Sequence, residues 1–186
     1  MVNENTKEFD FIVVKYDKEY YNLIEEIYRL HKDQKRKIFD YGSRVFTDED
    51  IMDYVEHQLE LNNAITFAAI DKEEDKVAGV ITLDNIASTD DTIIRCNCHV
   101  VICRKYWGKT SREIIKQLMY KLDNEFIYDI NRYEAFVPAN NFGIIKLLKD
   151  VGFKCEGTLK KRLMFDNKKG IPTYYDELVF SRVKEK

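Results

Sequence analysis

The spacing of apolar residues changes repeatedly along the chain, and each change marks an element. Phe9 to Tyr16 (FDFIVVKY) is a short β-branched and aromatic run and predicts a strand. From Asp17 to His31 the period becomes helical. Tyr20, Leu23, Ile24, Ile27, Tyr28 and Leu30 share one side, and Asp17 is placed to cap it. Lys32 to Val45 is basic and aromatic without a period and reads as a loop with a short helical turn. Thr47-Asp48-Glu49-Asp50 resembles a capping box and opens a helix to about Leu61. Ala64–Asp71 and Lys76–Leu83 form a hairpin around a charged turn, and Asp91–Cys103 is a long third strand.

After Cys103 the pattern breaks at Trp107-Gly108-Lys109 and resumes as a helix. Ile114, Ile115, Leu118, Met119 and Leu122 give its apolar side, which runs to about Tyr128, with Ser111 or Thr110 as the expected cap. Arg132–Val137 is a strand. A turn at Pro138 to Asn141 opens a helix from about Asn141 to Val151, and Gly152 stops it. Phe153–Phe165 and Thr173–Arg182 are two strands joined by a turn at Asp166 to Gly170. The order predicts a mixed α+β domain over residues 1–186, with a central, mostly antiparallel sheet flanked by helices.

The junction from Cys98 to Glu113 carries the first hint of chemistry. Strand, tight loop and helix start place unpaired backbone N–H groups and the positive helix end together, a geometry that binds anions. Net charge is -3, which argues against a dedicated nucleic-acid binder. No transmembrane run or signal peptide is visible, and buried reduced thiols suit a cytoplasmic protein. Cys96-Asn97-Cys98-His99 lacks the second half that a zinc site needs, so no metal is expected.

The element order, with this junction, resembles the GNAT acyl-CoA N-acetyltransferase family from Phe9 to Val183. The most specific piece is Asn141, then Leu147-Leu148-Lys149-Asp150-Val151-Gly152-Phe153, then Glu156-Gly157. The end, Gly170 through Tyr174-Tyr175-Asp176-Glu177-Leu178, and Tyr106-Trp107-Gly108-Lys109 are similar to the branch that acetylates ribosomal-protein and other protein N-termini and to phage-encoded members. The resemblance implies acetyl-CoA as co-substrate, bound by Trp107, Gly108, Lys109, Thr110, Ser111 and Arg112 at the pyrophosphate, by Asn141, and by backbone N–H groups at Ile102 and Cys103. The loop departs from the family pattern, in which glycine and a small residue stand where this chain has Thr110 and Arg112. Arg112 either contacts phosphate or points to solvent. The family's tyrosine acid is replaced by Leu148.

His99 is the candidate general base, since an imidazole with a reference pKa of ~6.5 can move protons at neutral pH. Its alternative role is a strand histidine bonded to a neighbour. Strand alternation puts it on the face opposite Ile102 unless a bulge intervenes. Tyr41, Arg44, Phe46, Tyr174, Tyr175 and Asp176 are candidates for the amine acceptor's cleft. The acceptor itself is unspecified, and a monomer and a homodimer are equally compatible. Three functions stay open: an N-acetyltransferase, a catalytically inactive CoA-binding module of the same fold, and a partner-binding protein without cofactor.

Overall fold

The computed structural model describes residues 7–38, 47–89, 92–166 and 171–184. The elements run β1 (Phe9–Val14), α1 (Tyr21–Ile38), α2 (Asp48–Glu60), β2 (Ile65–Asp71), β3 (Lys76–Ser88) and β4 (Thr92–Ile102). Then come α3 (Lys109–Asn124), β5 (Asp129–Ile130), β6 (Arg132–Pro138), α4 (Phe142–Asp150), β7 (Lys154–Asp166) and β8 (Pro172–Val183). One sheet contains every strand, in the order β1-β2-β3-β4-β6-β8-β7, with β5 beside the start of β4. All neighbours are antiparallel except β4 with β5 and β6. The expected mixed, mostly antiparallel sheet with flanking helices is what forms.

Helices cover the sheet unevenly. α3 and α4 lie on one face, where Ile114, Leu118, Leu122 and Leu148 meet Cys96, Tyr133 and Phe180. α1 and α2 cover the other face over the first strands, with Ile24, Ile27, Leu30 and Val55 against Val14, Ala68 and Val80. Burying apolar area on both faces makes β2 and β3 the most enclosed strands of the sheet.

Several element ends differ from expectation for identifiable reasons. Residues 32–38 continue α1 instead of looping: no glycine or proline interrupts them, and Lys, Arg and Gln favour helix even where the apolar stripe has ended. Asp17 makes no side-chain cap; a short turn at Lys18–Tyr20 precedes α1. Thr47 does cap α2, in a reciprocal box with Asp50. α3 begins at Lys109, ahead of Thr110 and Ser111, because Gly108 takes a φ of +88° and serves as its N-cap. It ends at Asn124, short of Tyr128. Asn141 caps α4 and Gly152, at φ +94°, closes it.

Candidate active site

β4 and β6 run parallel yet pair only at Cys96 with Tyr133 and Asn97 with Glu134. Beyond that point β4 keeps β3 as its partner and β6 keeps β8. The sheet therefore opens between Cys98–Ile102 and Ala135–Pro138. The Cys103 N–H donates to the Ala78 carbonyl at 2.8 Å, which sets the parity of β4. Val101 and His99 turn their N–H groups toward β3, and Val100 and Ile102 turn theirs toward the opening. Cys103 thereby leaves the set of backbone donors expected at the opening; its N–H is already spent on β3.

At the end of β4 the chain makes a tight turn, Arg104–Tyr106, and enters α3. Three contacts fix this loop. The Trp107 indole N–H donates to the Ile102 carbonyl at 2.9 Å, the Tyr106 hydroxyl to Asp71 at 2.6 Å, and the Ser111 hydroxyl to the Gly108 carbonyl at 2.9 Å. Gly108 offers no side chain to cap the helix, and no acidic residue stands in the first turn. The N–H groups of Lys109, Thr110, Ser111 and Arg112 therefore meet neither a cap side chain nor a carboxylate that would neutralise the helix end. Arg112 does not simply point to solvent. Its guanidinium pairs with Asp150 at 2.8 Å and ties α3 to α4. Asn141 uses its side-chain oxygen to accept the Ile144 N–H at 3.4 Å.

His99 lies on the opposite face from Ile102. The irregularity in β4 falls at Ile94 and Arg95, where β3 and β4 slip register, so alternation from Cys96 to Ile102 is undisturbed. The imidazole is half exposed, and its Nε2 lies 3.1 Å from Asp84 Oδ2 on β3. Burial works against the Asp84 carboxylate, but hydrogen bonds from His99 and Asn97 and the His99 charge outweigh it and hold it below the usual carboxylate range. Beneath His99 is a recess of about 20 Å³ lined by Ile27, His31, Tyr54, Thr66 and Thr82 among others, room for about one water. Glu134, Phe136 and Glu177 stand on the same face farther along the sheet, as their register with Asn97 and Val179 requires. Glu177 is held above the usual carboxylate range, by burial that Arg162 only partly offsets.

No protein-family model matches the sequence, and no curated protein matches it. Solved structures do. The ribosomal-protein-S5-alanine acetyltransferase from Vibrio fischeri superposes with a TM-score of 0.68 at 20% identity, over 94% of this chain and 92% of that one. A GNAT-family acetyltransferase from Bacillus anthracis gives 0.64 at 17%, over 95% and 97%. Spermidine N-acetyltransferase from Vibrio cholerae, solved with CoA and spermine, gives 0.66 at 16%, over 93% and 95%. The chain has the GNAT fold.

Within the GNAT fold as this chain builds it, Ile102, Trp107, Gly108, Lys109, Thr110, Ser111 and Arg112 come together at one end of the opening, where β4 turns into α3. Asn141 caps α4 just beyond the end of β6, the opening's other strand. Leu148 is buried in α4 and offers no acid. Asp176 accepts from Lys160 and from the Lys161 N–H within its own hairpin. Tyr41, Arg44 and Phe46 lie outside the described residues. Asp84 was missing from the sequence expectations, because its pairing with His99 follows from hairpin register and has no local signature.

Proposed function

We propose that this chain is one acetyltransferase domain, residues 1–186, that moves the acetyl group of acetyl-CoA to a primary amine by direct attack. The observation that carries the reading is the opening of the sheet beyond Asn97 and Glu134, set beside an α3 N-terminus whose cap is Gly108. The residues fit the donor. The first-turn N–H groups of α3 suit a pyrophosphate, and the open side of β4 suits an extended amide chain that pairs with the strand. The Vibrio cholerae neighbour was solved with CoA, which supports the same choice.

The amine must lose a proton as its nitrogen bonds to the thioester carbon. His99 stands on the sheet face away from α3, where an acceptor reaches the opening without crossing the donor, and takes that proton directly or through one water. Asp84, with Oδ2 at 3.1 Å from Nε2, orients the imidazole. Negative charge that develops on the carbonyl oxygen meets the Val100 N–H. The C–S bond breaks, and the thiolate, with a reference pKa of ~8.5, leaves without a side-chain acid and takes a proton from solvent. Every neighbour named above is an acetyltransferase, which gives the catalytically inactive alternative no support. Free cysteines suit a reducing compartment such as the cytoplasm.

The test is thermal unfolding with acetyl-CoA, followed by thiol release with a panel of amines. A ligand at a hundredfold excess over Kd stabilises by ~2.7 kcal/mol. A raised Tm and amine-dependent thiol release are expected. An unchanged Tm at millimolar acetyl-CoA overturns the donor assignment, and binding without thiol release from any amine favours the inactive module.

A further inference from the structure

Asp71, the last residue of β2, is a carboxylate with no exposed surface. One oxygen accepts the Tyr106 hydroxyl at 2.6 Å and meets the Lys7 ammonium at 2.7 Å; the other accepts the Glu73 N–H at 3.1 Å. Tyr106 is buried as well, its ring edge-on to Phe9 with centroids 6.0 Å apart. Burial pushes the Asp71 carboxyl up, and these hydrogen bonds more than offset it, so the group is ionised inside the protein. A buried charge is costly, and the transfer chemistry does not use this one.

Its place in the chain suggests what it does. Tyr106 closes the Arg104–Tyr106 turn and stands two residues before Gly108. The start of β1, where Phe9 pairs with Asp71, is bound to α3 itself. Gln117 accepts the Phe9 N–H at 3.1 Å and donates to the Lys7 carbonyl at 2.8 Å. Loop and helix are thus tied to two adjoining strand ends, the loop to Asp71 of β2, 35 residues upstream of Tyr106, and the helix to the backbone at Lys7 and Phe9.

We infer that the Asp71–Tyr106 hydrogen bond positions the anion-binding end of α3, holding the turn so that Gly108 and the N–H groups of Lys109 to Arg112 meet the donor's pyrophosphate. Tyr106 is then a positioning residue for donor affinity and not for acyl transfer. The inference rests on the acetyl-CoA reading above. Its readout is donor choice: acetyl-CoA and S-acetylpantetheine carry the same thioester, and only the first carries a pyrophosphate.

Tyr106→Phe keeps the ring and removes the hydroxyl. The ratio of kcat/KM for acetyl-CoA over that for S-acetylpantetheine should fall roughly tenfold, with the loss in KM and not in kcat, the scale of one charge-assisted hydrogen bond. Lys7→Met, at a partly exposed position, keeps the Asp71–Tyr106 hydrogen bond but removes the ammonium from Asp71 and from over the Tyr106 ring, and should give a smaller, equally donor-specific loss. It carries the test if Tyr106→Phe does not fold. A loss equal for the two donors, or confined to kcat, overturns the inference and leaves the acetyl-CoA reading standing. An unaltered protein that turns over neither donor removes both.

Discussion

The two faces of β4 are made of different chemistry and do different work. Toward α3 and α4 the strand presents Cys96, Cys98, Val100 and Ile102, all apolar or soft and nearly all buried. Toward α1 and the open half of the sheet it presents Arg95, Asn97, His99 and Val101. Val101 is packed against the helices above, and His99 borders the recess beneath them. A strand can carry both sets because alternate side chains never meet, while β3 holds the backbone for both. The packed face makes the strand rigid, and the other keeps titratable groups at the surface, where a substrate can reach them. β6 repeats the division: Tyr133, Ala135 and Val137 are core, and Arg132, Glu134 and Phe136 are not.

The sharpest way to break this comparison is at His99. His99→Gln should lower kcat/KM by ~10²–10⁴-fold, the range for general acid–base catalysis, and abolish its rise with pH. Acetyl-CoA affinity should stay close to that of the unaltered protein, because the donor contacts proposed above involve the open edge of β4 and the start of α3, not the His99 side chain. An active variant with an unchanged pH profile would mean that the exposed face is decoration and that solvent removes the proton.

On the packed face the expected loss is of stability. Leu118 of α3 has no exposed surface and sits within the core that contains Cys96 and Cys98. Leu118→Ala should cost about 2–5 kcal/mol, read as a lower urea midpoint. The activity of the folded fraction should survive. If it falls in step with that of His99→Gln, the two faces are not independent.

Periodicity made most of the elements readable, because burial on one or two faces imposes it. The hairpin at Lys72–Asp75, the box at Thr47 and the stop at Gly152 have local signatures and were readable for that reason. The short β5, the slip at Ile94–Arg95 and the start of α3 at Lys109 were not. They depend on which strand lies alongside, or on glycine adopting a positive φ that sequence only permits. In the candidate site, the region was readable and the partnerships were not. His99 with Asp84, Arg112 with Asp150, and Tyr106 with Asp71 join residues 15, 38 and 35 apart, and only the folded sheet and the helices packed on it bring them together.

The thiols provide the mildest probe of the same division. Burial, with nearby charges adding to it, pushes Cys96 and Cys98 up to about 12, whereas Cys155 is exposed on β7 and Cys103 is half-buried beyond the end of β4. Only thiolate reacts with a disulfide reagent, so near pH 8 the native protein should label Cys155 first, Cys103 more slowly, and the β4 pair only after urea has unfolded it. The raised values also make a stability statement. An unfolded cysteine ionises near 9.0, so the contribution of these two is complete below that pH and is lost as pH rises from there toward 12. The urea midpoint should fall across that window, and a variant with Cys96 and Cys98 both replaced by Ala should show a shallower fall from a lower starting point. Four thiols titrating at equal rates in the native protein at pH 8 would show that the packed face of β4 opens to solvent as readily as the face that carries His99.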